Sequence, residues 1–133
     1  MFFLLDSACK CGISNRKICG EDEDVTRIVN GVEAGLHEYP WQAALVHAGG
    51  HTPFCGGSII SNKHILTAAH CTNIKLISNI EVLVGEHDLT TVNDDSQRMR
   101  ILRIHEHPNF NLRNYVAFDY SIIVLADKLH FSK

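Results

Sequence analysis

Two side chains in this sequence stand in settings where proton chemistry is possible. His70 lies in Leu66-Thr67-Ala68-Ala69-His70-Cys71, and Asp119 lies in Phe118-Asp119-Tyr120-Ser121-Ile122-Ile123-Val124-Leu125. An imidazole changes charge near neutral pH, so it can serve as both general base and general acid. A carboxylate at the mouth of a strongly apolar strand is costly unless it is hydrogen-bonded. Taken singly, both residues are ordinary. A His beside a Cys is usually a structural residue, and an Asp before a strand is usually a turn residue. The chain has nine His, which raises the question of a metal. His105 and His107 flank Glu106, and His47 and His51 flank Gly49-Gly50. None forms a His-Glu-x-x-His motif, a helical pair or a Cys/His zinc spacing, so they read as surface or loop residues.

The elements that must carry these residues are short. Apolar, strand-length runs recur at Ala43–Val46, Gly57–Ile60, His64–Thr67, Ile80–Val84, Met99–Ile104 and Tyr120–Ala126, with turn signals between them. Ser61-Asn62-Lys63 reads as a tight turn joining two of the runs. No long helical stripe is present. Six short strands separated by turns predict an all-β barrel or sandwich. Within Met99–His105 the apolar phase slips. Met99 and Ile101 alternate with Arg98 and Arg100, and then Leu102 and Ile104 take over, alternating with Arg103 and His105. A β-bulge produces such a slip. Residues 1–27 are different in kind. They hold Cys9, Cys11, Cys19 and the run Glu21-Asp22-Glu23-Asp24, with no strand or helix period, and read as an irregular, solvated lead segment.

Composition narrows the classes. At 133 residues and 45% hydrophobic there is material for one ordinary core. A net charge of -3 gives no basic footprint for a nucleic acid. No apolar run is long enough to span a bilayer. Five Cys in a chain of this size point to a secreted, disulfide-bonded protein. The odd count leaves at least one thiol free or paired outside the chain. Met1 to Leu5 reads as the start of an apolar signal region that stops at Asp6, so a complete export signal is not visible. Together these predict a secreted protein known here from an incomplete sequence.

Two further motifs join the first two: Arg27-Ile28-Val29-Asn30-Gly31 and Cys55-Gly56-Gly57-Ser58-Ile59-Ile60-Ser61. In this order and spacing the four resemble the trypsin/chymotrypsin-like secreted serine proteases, over Arg27 to about Lys133. The resemblance implies a single six-stranded antiparallel Greek-key barrel over residues 28–133. This would be the first half of the family's two-barrel fold, preceded by a pro-segment over 1–27. It implies that His70 is the general base and acid, and that Asp119 is the carboxylate that fixes the His tautomer and stabilises the imidazolium. It also implies a disulfide between Cys55 and Cys71, which in the chain-entropy picture contributes about 3 kcal/mol. A trypsin-like activator would cut between Arg27 and Ile28, freeing the Ile28 ammonium. Asn30 stands where the family commonly has Gly. Cys9-x-Cys11-Gly12 is similar to the lead of arthropod proteases, some with an upstream module. Cys11 is then the candidate for an interdomain bridge whose partner lies beyond Lys133, while Cys9 could pair with Cys19 or with something upstream. Glu86 matches a position in the loop that binds Ca²⁺ in some trypsins, with Asp88, Asp94 and Asp95 as further oxygen donors. The family's second carboxylate has no clear counterpart, so the expectation is a chain without a resident metal or other cofactor, and calcium at Glu86 is the alternative.

No Gly-Asp-Ser-Gly-Gly occurs in the 133 residues. In the family the nucleophile, oxyanion hole and specificity pocket belong to the second barrel. The resemblance therefore implies a serine endopeptidase zymogen acting on protein substrates. It also implies that the 133 residues alone are inactive for want of the C-terminal barrel. The alternative from another class is a non-catalytic protease homologue with a binding or regulatory role.

Overall fold

The structure, a computed structural model, describes residues 34–73, 76–88, 96–113 and 117–131. The chain divides into two units, Met1–Pro40 and Trp41–Lys133. Of the first, only 34–40 is described. It is a turn in which Gly35 and Glu38 are tied twice: the Gly35 amide donates to Glu38 Oε2 (2.8 Å) and the Glu38 amide donates to the Gly35 carbonyl (3.0 Å). Arg27, Ile28 and Cys11 lie outside the described residues.

The second unit is a closed antiparallel barrel. Its strands are β1 (Gln42–His47), β2 (Pro53–Ser61), β3 (His64–Thr67), β4 (Ile80–Val84), β5 (Gln97–Glu106) and β6 (Ser121–Leu125). Around the barrel they run β1-β2-β3-β6-β5-β4, and β4 closes on β1. The order β4-β1-β2-β3 is a Greek key. The expected all-β, six-stranded barrel is what forms. Single alternation sets the inner face: Ile80, Val82 and Val84 on β4, and Ser121, Ile123 and Leu125 on β6, all point inward. Leu45, Ile65, Ile80, Val82, Ile123 and Leu125 are fully buried and form the centre of the core, with Ala43, Met99, Ile101 and Leu129 around them. Each such side chain contributes about 1.5–3 kcal/mol on leaving water.

Two details of the strands position the site. Gly57 on β2 sits against β3, where an added Cβ would lie 2.8 Å from Ile65 Cγ2 and 3.0 Å from the Leu66 carbonyl oxygen. Only glycine lets β2 and β3 approach so closely. The second detail is the phase slip on β5, which is a true bulge. Ile101 pairs with Leu125 and Arg103 with Val124, leaving Leu102 as the extra residue. The slip differs from the sequence expectation in one respect. Leu102 does not join the new inner face but stands 60% exposed, because the bulged residue has no partner to pack on. From Ile104 the inner parity resumes, on even numbers. The Asn62–Lys63 turn joins β2 to β3 with Ser61 opposite His64. The Lys63 amide donates to Ser61 Oγ (3.1 Å), a local side-chain turn bond of the kind Ser favours.

Candidate active site

Strand β3 ends at Thr67, and one helical turn follows, α1 (Ala69–Thr72). The turn carries alternate duties. Ala69, Cys71 and Thr72 are buried, and His70 faces outward with its side chain 47% exposed. Asp119 immediately precedes Tyr120 and β6, and Thr67 pairs with Ser121 across the β3–β6 ladder. That pairing brings two residues 49 apart in sequence into contact. The His70 amide donates to Asp119 Oδ1 (2.9 Å). His70 Nδ1 and Asp119 Oδ2 are 2.7 Å apart. An ionised carboxylate only accepts, so the ring proton sits on Nδ1 and Nε2 carries the lone pair of the neutral ring. Nε2 lies 3.5 Å from Cys71 Sγ, a disulfide sulfur and a weak acceptor.

Asp119 has a side chain 23% exposed. The His70 ring N–H, and then its backbone N–H, hold the carboxyl below the usual carboxylate range, against the opposing pull of desolvation. The residues flanking it are shaped for this. Phe118 takes a left-handed backbone (φ 61°), an uncommon conformation for a bulky residue. The His107 ring stacks on Phe118 (4.6 Å between centroids, 8° between planes) and packs tilted against Tyr120 (4.8 Å). The His107 amide donates to the Tyr120 carbonyl (3.1 Å). His107, read from sequence as a loop residue, thus clamps the segment carrying Asp119.

Cys55 on β2 and Cys71 on α1 are joined by a disulfide, with Cα atoms 6.2 Å apart. It fastens the His70 turn to the sheet. Sγ of both cysteines and a His70 ring nitrogen lie within 4.8 Å of one another. Both sulfurs are spent in the disulfide, so the group offers no thiolate to a metal. Glu86 follows Gly85, whose positive φ of 75° ends β4. Its Oε1 is buried and has no hydrogen-bond partner among the described residues. Asp94 and Asp95 lie outside the described residues.

Sequence reasoning missed the layer behind the turn. Thr72 and Ser121 are buried hydroxyls with oxygens 3.1 Å apart, and Thr72 Oγ1 donates to Glu106 Oε1 at 3.0 Å. Asn73 Nδ2 donates to Glu106 Oε2 at 2.7 Å. Their contacts with Thr72 and Asn73 span 33 to 49 positions, and no local pattern announces them.

This geometry belongs with a known group. The trypsin family profile matches residues 28–133, and the chain belongs to that family. It is 37% identical to a venom serine protease of Polistes dominula over 129 residues, covering 93% of this chain and 42% of the relative. It is 35% identical to ovochymase-2 of Mus musculus over 109 residues, 81% of this chain and 18% of that protein. Among solved structures it resembles neuropsin, a serine protease expressed in the limbic system of mouse brain. The TM-score is 0.64 at 29% identity, over 75% of this chain and 42% of that one. The chain thus spans less than half the length of the relatives it matches.

Proposed function

We propose that this chain carries two members of a serine endopeptidase triad, with His70 as general base and acid and Asp119 as its orienting carboxylate. The observation that carries the reading is the paired grip of Asp119 on His70, through the ring N–H (2.7 Å) and the backbone N–H (2.9 Å). Asp119 fixes the tautomer and stabilises the imidazolium as it forms. His70 Nε2 takes the proton of a serine hydroxyl as it attacks the scissile carbonyl of a protein substrate, then returns it to the leaving amine. The hydroxyl and the oxyanion-hole amides come from a second barrel, for the 133 residues hold no Gly-Asp-Ser-Gly-Gly. The protein is made as a secreted zymogen. A trypsin-like activator cuts it after Arg27, and Cys11 is the candidate for a bridge that keeps the lead segment attached. Glu86 is the residue that would accept Ca²⁺ if the loop binds one, its buried oxygen being free to ligate.

The test uses the full-length protein and residues 1–133, both exported through an oxidising compartment. Limited trypsin should create a new N-terminus at Ile28 in both. A fluorophosphonate probe should then label the full-length protein, lose that label on His70→Ala, and leave residues 1–133 unlabelled. Labelling of residues 1–133 that depends on His70 would place a nucleophile within this chain and overturn the reading. A full-length protein that is cut at Ile28 but never labelled would be the non-catalytic homologue.

A further inference from the structure

We propose that Glu106, at the end of β5, is a positioning residue for His70. The proposal rests on reading His70 and Asp119 as the catalytic pair. Three ties hold the turn that carries His70. Two are the disulfide at Cys71 and the Asp119 carboxylate. The third is polar and lies on the far side of the turn, where the Glu106 carboxylate receives the side chains of Thr72 and Asn73 together (3.0 and 2.7 Å).

Proton counting fixes the direction of this network. The Thr72 hydroxyl has one proton and three oxygens in reach: Glu106 Oε1, the Ala69 carbonyl (3.1 Å) and Ser121 Oγ (3.1 Å). The Ala69 carbonyl already accepts the Asn73 amide (2.9 Å). The carboxylate, with its charge, is the strongest acceptor of the three. Thr72 therefore donates to Glu106, and Ser121 donates to Thr72. Its other acceptor, the Ala68 carbonyl, lies 3.5 Å away. The result is a one-way chain, Ser121 to Thr72 to Glu106. It couples the start of β6, two residues after Asp119, to the turn that bears His70. Thr72 and Ser121 are 2% and 0% exposed, so neither can exchange its partner for water. Glu106 is the only charged member, and it makes the chain run one way. Glu106→Gln offers one acceptor oxygen and turns an N–H₂ group on the Asn73 or Thr72 donor. Either one side of the grip is released, or Thr72 must reverse, accepting from the amide and turning its proton to the Ala69 carbonyl (3.1 Å), which breaks the one-way chain.

The test reads the His70 Nδ1 proton by NMR in residues 1–133, and the kinetics in the activated full-length protein. In the unsubstituted chain this proton should resonate far downfield, held by the short bond to Asp119. Glu106→Gln should speed its exchange with water by about tenfold, as expected for a looser local structure. It should also lower kcat by about tenfold with KM unchanged, as small misplacements of a catalytic base do. Asn73→Ala, which removes one exposed partner and leaves the buried hydroxyls alone, should give a smaller change of the same kind. Glu81→Gln is the control. It removes a carboxylate equally well bonded, to Arg98 and Gly49, and should leave the His70 proton and kcat unchanged. Unchanged exchange and kcat in Glu106→Gln, or an equal change in Glu81→Gln, would overturn the proposal. A downfield proton absent from the unsubstituted chain would overturn the His70–Asp119 pair itself, and this proposal with it. If the NMR effect appears in a protein that never turns over substrate, the positioning holds and the protease reading fails.

Discussion

Two carboxylates in this barrel do nearly the same thing with different consequences. Asp119 accepts a backbone amide and a ring N–H from His70. Glu81 accepts the Gly49 amide (3.0 Å) and Arg98 Nη1 (2.7 Å), pinning the tip of the β1–β2 hairpin, where Arg98 also donates to the Gly50 carbonyl. Both carboxyls sit below their usual range, Asp119 chiefly through the His70 ring and Glu81 chiefly through the Gly49 amide and then Arg98. The difference is the second partner. A guanidinium keeps its charge at every working pH, so Glu81 can only hold a loop. An imidazole gains and loses a proton near neutrality, so Asp119 holds a group that can act. What lies behind each differs as well. The hairpin tip is exposed, whereas the His70 turn is backed by a disulfide and two buried hydroxyls.

The sharpest way to break the comparison is to swap the acceptor. In the activated full-length protein, Asp119→Asn should cut kcat by about 10⁴-fold, the scale of the same change in the Ser-His-Asp template, because the amide favours the wrong His tautomer. Glu81→Gln should leave kcat alone. A kcat loss within tenfold for Asp119→Asn would put the two carboxylates in one class. Next in size is the covalent backing. Replacing Cys55 and Cys71 together with Ala should cost about 3 kcal/mol of stability, read from urea midpoints, since a loop spanning 16 positions is no longer closed.

How much of this was legible beforehand follows from how far each contact reaches along the chain. All six strands were read within a few residues, since each is an apolar run bounded by turn residues. The bulge on β5 was legible because a change of parity is local. His70 and Asp119 were legible only through the motifs around them, and their meeting depends on a ladder that joins residues 49 apart. Thr72, Asn73, Ser121 and Glu106 were not read as a group. A buried hydroxyl looks like any other Ser or Thr until the fold removes the water around it. Leu102 was misassigned because periodicity locates a bulge without saying which residue is expelled.

Smaller effects test the scaffold that both carboxylates share. Gly57→Ala should destabilise by about 1–3 kcal/mol, because its Cβ would sit 2.8 Å from Ile65 Cγ2 and 3.0 Å from a backbone oxygen that cannot yield. Thermal unfolding would show it, and no loss would mean that β2 and β3 are less tightly apposed. The smallest effect is the pH response. Both carboxyls have folded-state pKa values lowered from the ordinary value near 4. The stability they supply is fully present above that value and is lost as pH falls through the lowered ones. Urea midpoints should thus be flat above about pH 5 and decline below about pH 4. Glu81→Gln should remove part of that decline at a cost of no more than about 1 kcal/mol at neutral pH, as for other solvent-accessible pairs. An unchanged acid slope would mean that Glu81 is not held by Gly49 and Arg98 in solution.

The bulge at Leu102 acts as a counter on β5. Strand parity is two, so every residue inserted or removed exchanges the two faces of whatever follows. Upstream of Leu102 the odd-numbered residues Met99 and Ile101 face the core. Downstream the even-numbered Ile104 and Glu106 do. One expelled leucine therefore decides that the carboxylate reaching Thr72 and Asn73 is Glu106, and that His105 points away. If Leu102 were instead paired in regular alternation, β5 would present His105 to the His70 turn and send Glu106 into the solvent.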